Sequence, residues 1–253
     1  MERCLFCGEM RGDPLSFHNL FSPEYAPGFC LSCREQLVPI DPRHCCRLCG
    51  RDLSRLDRNR VTEGTCSDCV KWANSGRNGL YVNNHALYHY NPFLKEMINQ
   101  FKFRGDVRLA DGFAVELKRA YRRIVHNCAR EQLGILKRKP SFLLVPVPLS
   151  SERLLERGFN QADVLARQIG APIVQALVRV RDEAKQSKKN RAERMRLRAT
   201  PFRLNEKAAV SLSGHKILLI DDIYTTGATM RFAAEALAPA RPDSIRSLTL
   251  IHG

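Results

Sequence analysis

Hydrophobic positions along the chain fall into short runs and one-sided stripes. Residues 217–220 (ILLI) are a continuous apolar run, brief and β-branched enough to read as a buried strand. Residues 142–148 (FLLVPVP) read as a second strand, whose prolines force the chain out of the sheet at its end. YVNNHALYHY (81–90) alternates loosely, PIVQALVRVRD gives a further strand, and SIRSLTLI (244–251) supplies the last, expected to close the sheet. Helical stripes lie between them. Pro92 opens a helix with Phe93, Met97, Ile98 and Phe101 on one face. From Val107 the spacing of Leu109, Phe113, Leu117, Tyr121 and Ile124 predicts a long helix whose outer face carries Lys118, Arg119, Arg122 and Arg123. A further helix is expected to start at Phe159-Asn160-Gln161, with Val164, Leu165, Gln168 and Ile169 on its face, and another to run from about Thr229 to Leu237. Strands alternating with helices predict an α/β fold: a parallel sheet with helices on both faces.

Length adds a second module. At 253 residues the chain exceeds a typical single domain, and cysteine usage shows where the extra part lies. Nine of ten cysteines fall in the first 69 residues, eight of them in four CxxC pairs: Cys4/Cys7, Cys30/Cys33, Cys46/Cys49 and Cys66/Cys69. The 16-residue gap inside the second half matches zinc-ribbon spacing, and the 22-residue gap inside the first is slightly longer. CLFCGEM and CRLCGRD begin alike, with Gly8 and Gly50 placed for a tight turn around a metal. The pattern predicts a duplicated structural Cys4 site holding two Zn²⁺ ions. Sequential pairing is the simpler arrangement, and an interleaved one fits the same sequence. Cys45 could replace Cys46 as ligand, with His44 nearby; both are expected to be bystanders, and Cys128 an ordinary helix residue. The division expected is 1–79, a double zinc ribbon ending near Trp72 with ANSGRNG as linker, and 80–253, the α/β domain.

Cytosolic thiols disfavour a disulfide framework, and four pairs in a row exceed what a dithiol redox enzyme needs. No apolar stretch reaches membrane-spanning length, and MERCLFCGEM lacks the apolar core of a secretory leader, so a cytoplasmic location is expected. The formal charge of +15 is concentrated: residues 81–140 carry a net +7 and residues 181–203 a net +6. Concentrated charge points to a polyanionic partner. FKFRGD (101–106) sets Lys102 and Arg104 between phenylalanines, either as a helix end with snorkelling bases or as a nucleic-acid contact. The second basic stretch contains Lys188, Lys189 and Arg191, which offer the same chemistry to single-stranded DNA.

The apolar run at 217–220 leads into Asp221 and Asp222, then Thr225-Thr226-Gly227-Ala228-Thr229, then a helix. Loop amides and a helix N-terminus offer donors and positive potential to a phosphate, while adjacent carboxylates accept from ribose hydroxyls, directly or through Mg²⁺. LLIDDIYTTGAT resembles the phosphoribosyl pyrophosphate (PRPP) motif of type I phosphoribosyltransferases. That resemblance implies the loop holds the 5′-phosphate and the acids hold the ribose. It also implies a pyrophosphate loop between Pro146 and Gly158, with Arg153 and Arg157 as candidate cations. A lid near 181–200 that includes Lys185, Gln186 and Ser187 is implied as well, although NRAERMRLR reads equally as a solvated helix. Purine-salvage members of that superfamily carry an acid where Thr225 stands; a threonine cannot serve as a base near neutral pH. A retained PRPP site is therefore a stronger expectation than any named transfer reaction.

Cys4 ribbons, FKFRGD, VPVP followed by RGFNQ, KQSKKNRAER and LLIDDIYTTGAT occur in this order over the full length. Together they resemble the ComF family of competence proteins. The resemblance implies a role in moving transforming single-stranded DNA across the inner membrane. It also implies a site at that membrane's inner face and a helicase from the same operon as partner. An active phosphoribosyltransferase acting on an unidentified nucleobase or amine, and a zinc-ribbon adaptor with a vestigial sugar site, are the competing functional readings.

Overall fold

The computed structural model describes residues 3–11, 28–75, 79, 81–131, 141–180 and 200–253. Two copies of one knuckle open the chain. In each, a glycine at φ 75°, a backbone region costly for side chains with a Cβ, turns its amide back to the first cysteine's carbonyl. Gly8 reaches Cys4 at 3.1 Å and Gly50 reaches Cys46 at 2.9 Å. In each, a helix then starts just after the third cysteine: α1 (Leu31–Glu35) after Cys30, and α2 (Ser67–Asn74) after Cys66. A small hairpin, β1 (Val61–Thr62) with β2 (Thr65–Cys66), feeds α2.

The remaining elements follow as β3 (Tyr81–His89), α3 (Pro92–Phe103), a 3-10 turn (Val107–Phe113), α4 (Ala114–Glu131), β4 (Phe142–Pro146), α5 (Ser151–Arg157), α6 (Gln161–Ile169), β5 (Leu177–Arg179), β6 (Phe202–Leu204), α7 (Glu206–Leu212), β7 (Lys216–Tyr224), α8 (Ala228–Leu237) and β8 (Ser244–His252). Asn91 caps α3 by accepting from the Leu94 amide at 2.7 Å, and Pro92 fills the first turn, where no donor is needed. β3, β8, β7 and β4 form one parallel sheet in that order. No helix of the described residues is long and apolar enough to cross a membrane.

Several elements differ from the expectation. β8 lies inside the sheet rather than at its border, which accounts for its near-complete burial. The stretch after Ala171 is divided. Ile173 makes a single parallel bridge to Leu144 on the outer edge of β4, and β5 then turns away to pair antiparallel with β6. The helix expected from Val107 begins as a 3-10 turn, because Asp111-Gly112 is a poor helix pair and Gly112 lies against another residue's ring. The basic stretch with Lys185, Gln186, Ser187, Lys188, Lys189 and Arg191 lies outside the described residues.

The cysteine segment does not stand apart from the sheet. Ile40 donates to Leu87 (2.9 Å) and His89 to Val38 (2.9 Å), while Asn84 donates to Leu48 (2.8 Å), so this segment covers the free edge of β3. The two knuckles straddle that edge. Cys4, Phe29 and Cys33 join the apolar cluster of α3, α4, α6, Leu218 and Ile220 on one face. Cys46, Cys49, Cys66 and Cys69 join that of α7, α8, Ile217 and Leu219 on the other. Alternating β7 residues thus serve the two faces, as the pleat dictates.

Close packing makes one contact testable. A Cβ on Gly112 would meet the Phe29 ring at 2.4 Å, and Phe29 in turn packs edge-on to Phe113 at 5.1 Å between centroids. Gly112→Ala should cost about 1–3 kcal/mol in urea unfolding by overpacking. In a Phe29→Leu background the same substitution should cost clearly less, because the ring it strikes is gone.

Candidate phosphosugar site and metal centres

β7 is longer than its apolar run suggests and carries both acids within the strand; Asp221 pairs opposite Thr249, and the ladder continues to Tyr224 opposite His252. The Asp222 amide donates to Asp221 Oδ1 at 2.9 Å. Asp222, only 8% exposed, forms an ion pair with Lys102 at the end of α3. Of the two readings of Lys102, a snorkelling helix end or a nucleic-acid contact, the structure shows a side chain that is 18% exposed and paired with Asp222. Arg104, two residues later, stands at the helix C-cap and makes no side-chain bond among the described residues. Burial pushes the Asp221 carboxyl well above the usual range, and the neighbouring Asp222 charge adds to the effect.

After Tyr224 the chain turns through Thr225, Thr226 and Gly227 into α8, which begins at Ala228. Gly227 is fixed twice over. Its φ is 78°, and a Cβ would lie 2.1 Å from the Tyr224 hydroxyl and 2.3 Å from Arg231 Nη1. Those two atoms brace the loop from beneath: Arg231 donates to Tyr224 Oη (3.0 Å) and to the Gly227 carbonyl (3.3 Å). Arg231 is 2% exposed, and its guanidinium lies over the rings of Trp72 (4.6 Å) and Tyr81 (5.4 Å). Trp72 Nε1 donates to the Thr226 carbonyl at 2.7 Å, so the second cysteine knuckle grips the loop directly. Thr225, Thr226 and Thr229 remain exposed above this support, and Ala228 is half-buried. The result is a rigid loop with outward hydroxyls over a buried positive charge, an arrangement suited to an anion.

Arg157 projects from α5 toward the same neighbourhood. Its guanidinium covers the Phe103 ring at 5.2 Å, next to Lys102, and donates to Gln161 Oε1 at 3.1 Å. Arg157 Nε and Gln161 Nε2 are buried without partners, which is costly unless something else accepts from them. Arg153 is exposed, with no side-chain partner among the described residues; the structure does not draw it into this group.

Sequence reasoning overlooked Trp72, Arg231 and His252. His252 comes from the end of β8 and packs on the Tyr224 ring at 5.1 Å. Burial, with nearby Arg51, lowers its imidazole to about 4, so it is neutral at pH 7. A cavity of about 240 Å³ lies between α2 and the loop, bounded by Trp72, Lys71, the Arg51–Asp68 pair (2.7 Å), Thr225 and Thr226.

The eight paired cysteines gather as Cys4/Cys7/Cys30/Cys33 and Cys46/Cys49/Cys66/Cys69, the sequential arrangement, with the sulfurs of each set within 4.8 Å of one another. A Zn–S bond of about 2.3 Å places tetrahedral sulfurs roughly 3.8 Å apart. Cys7 and Cys30 are 3.6 Å apart, as are Cys49 and Cys66. The duplication reaches single bonds: the Cys30 amide donates to Cys4 Sγ and the Cys66 amide to Cys46 Sγ, both at 3.3 Å. Burial pushes the Cys4 thiol up, but amides of Cys7, Cys30 and Phe6 outweigh it and bring the group down to about 7. Donors aimed at sulfur suit thiolates, and both sets fit zinc. Cys45 stands outside, donating to the Pro42 carbonyl at 3.2 Å, and Cys128 is buried in α4.

Two outcomes follow from this geometry. Trp72→Phe keeps a ring over Arg231 but removes the N–H; losing about 1 kcal/mol should speed hydrogen exchange at residues 225–229 about fivefold. Asp221→Asn keeps an acceptor for the Asp222 amide and removes the titratable group. A carboxyl raised in the fold lowers stability as pH climbs from its ordinary value through the raised one, and costs nothing in acid. The variant should therefore melt higher than wild type at pH 7, with the gap closing toward pH 4.

Residues 154–253 match the phosphoribosyl transferase domain family. Competence protein ComFC of Bacillus subtilis is 36% identical over 251 residues, covering 98% of this chain and 94% of the relative. Competence protein ComFC of Streptococcus pneumoniae is 30% identical over 99% of this chain and 100% of the relative. DNA utilization protein YhgH of Salmonella typhimurium is 27% identical, with 83% and 91% covered. With identity at this level running through both the cysteine knuckles and the phosphoribosyltransferase-like sheet, the chain belongs to the ComF family of competence proteins.

Proposed function

We propose that this protein acts in the uptake of single-stranded transforming DNA and binds PRPP with Mg²⁺ at the end of β7. The observation that carries the PRPP reading is the braced loop: acids at the strand end, a glycine turn held over buried Arg231, and α8 starting immediately behind. Asp221 and Asp222 would hold the ribose hydroxyls and the metal, and residues 225–229 the 5′-phosphate. Arg157 and Gln161, with donors left over, would take the pyrophosphate. Mg²⁺ is held through one or two carboxylates together with substrate phosphates, and this donor set suits it. Lys102 already supplies Asp222 with positive charge where a cation would sit. When bound, the ion would neutralise the pyrophosphate oxygens. Zinc in both cysteine sets would lock the knuckles to the two faces of the sheet. The DNA role, the helicase partner and a location at the inner face of the membrane rest on membership of a family whose relatives are named for competence and DNA utilization.

The cavity beside Thr225 favours one second reading, an active phosphoribosyltransferase whose acceptor enters there. Release of pyrophosphate from PRPP in the presence of candidate acceptors separates the two.

Calorimetry tests the first. Asp221→Asn with Asp222→Asn should weaken Mg²⁺-PRPP binding at least tenfold, equivalent to about 1.4 kcal/mol, while wild-type zinc content is retained. Unchanged affinity would move the ligand elsewhere. Metal analysis should give about two zinc ions per chain, as the two Cys4 sets require, and removal of the metal by a chelator should lower the melting temperature of the whole fold.

A further inference from the structure

A second cavity, of about 720 Å³, lies away from the β7 loop, between the second cysteine knuckle, the edge strand β3 and α4. Its size is within the range of small-ligand pockets. Arg43, His44 and Arg47 line it from the knuckle, His85 from β3, and Arg123 and Asn127 from α4. Among the described residues no carboxylate lines it, and Leu53 is the one large apolar side chain there. It shares no lining residue with the loop, with Trp72 or with Arg157.

The charges here are available. Arg43 is held by Asp41 at 2.8 Å, but the exposed side chains of Arg47 and Arg123 make no hydrogen bond or ion pair among the described residues. Two guanidiniums facing a cavity that has no Asp or Glu in its lining, with the Cys46 sulfur at its wall committed to the metal set, form a ready site for bidentate oxyanions. His85 registers the same field: burial first, then Arg246 and Arg123, lower its imidazole to about 3, and its Nε2 is buried without a partner. A neutral ring and an asparagine amide beside cations provide hydrogen bonds to a base or sugar edge. A peptide would need apolar anchors, which this lining lacks. The positive face also continues beyond the cavity. Arg130 lies seven residues after Arg123, on the same side of α4, so a chain of phosphates entering the cavity can run along the helix.

We propose that this cavity is a phosphate-binding site for nucleotide units, separate from the PRPP loop. Its ligand is either a free nucleotide or the backbone of a single strand. It does not rest on the PRPP reading, and it shares with the single-strand reading only the phosphate chemistry.

The test is fluorescence anisotropy of the full chain with a labelled 12-nucleotide oligothymidylate at several salt concentrations, with unlabelled dTMP as competitor. Arg47→Glu with Arg123→Glu should weaken oligonucleotide binding at least tenfold, with Mg²⁺-PRPP affinity and zinc content unchanged. Each phosphate contact contributes a slope of about 0.7 in log affinity against log salt, so losing two contacts should lower the slope by about 1.4. The neutral pair Arg47→Gln with Arg123→Gln should fall between, which guards against misfolding of the charge-reversed protein. If wild type binds dTMP but no oligonucleotide, and both variants lose dTMP, the cavity takes free nucleotides and the single-strand reading falls. If wild type binds oligonucleotide and neither variant changes affinity or slope, the cavity proposal is overturned and DNA travels elsewhere. If wild type binds neither probe at low salt, the cavity proposal and the single-strand reading both fail, whatever PRPP does.

Discussion

Backbone pairing along the outer edge of β3 is the constraint on which the rest depends. A parallel sheet whose border strand is left bare exposes unpaired donors and acceptors to any passing strand. Here Val38, Ile40 and Leu48 supply the missing partners from the cysteine segment. Running along that edge, the segment leaves one knuckle on each face of the sheet, and each apolar cluster contains cysteines from one set. Metal geometry and sheet packing are therefore parts of one construction. The opposite edge receives a lighter version of the same treatment, through Ile173 against Leu144.

The same construction explains why the loop after β7 is firm. Loops of this kind rely on backbone amides, and those amides are useful only if their positions hold before a ligand arrives. Arg231 fixes the loop from inside the core, and Trp72 fixes it from a knuckle 154 residues away in sequence. Burying a guanidinium is expensive unless it is bonded and packed. Tyr224, the Gly227 carbonyl and two aromatic faces meet that requirement. Lys102 plays the balancing part for Asp222, so the acid pair carries less net charge than its sequence implies.

Local pattern made the sheet, the acids, the glycine turn and the cysteine sets legible, because each is encoded by spacing within a few residues. ILLI, FLLVP and SIRSLTLI could be read as strands from composition alone, and repeated CxxCG announced the duplication. Position within the sheet was not legible: nothing local to SIRSLTLI says that it inserts between β3 and β7 rather than at the border. The three-residue β5 and β6 were too short to leave a period, so a single longer strand was expected before the basic stretch. Lys102 illustrates a harder limit. A lysine between phenylalanines near a helix end has the same appearance whether it meets solvent or a carboxylate from another strand, and only the packing of α3 on β7 decides. Trp72 and Arg231 escaped for the same reason, since their partners come from distant parts of the chain.

Trp72 is the only tryptophan of the chain, and its indole meets both the Thr226 carbonyl and the Arg231 guanidinium. A nearby cation and a hydrogen-bonded indole N–H both influence the emission of that ring. The protein thus carries a built-in optical probe at the junction of knuckle and loop. Its intrinsic fluorescence comes from one site, without the averaging over several tryptophans that blurs such signals elsewhere, and a ligand settling on the loop can be followed in unlabelled, unmodified protein.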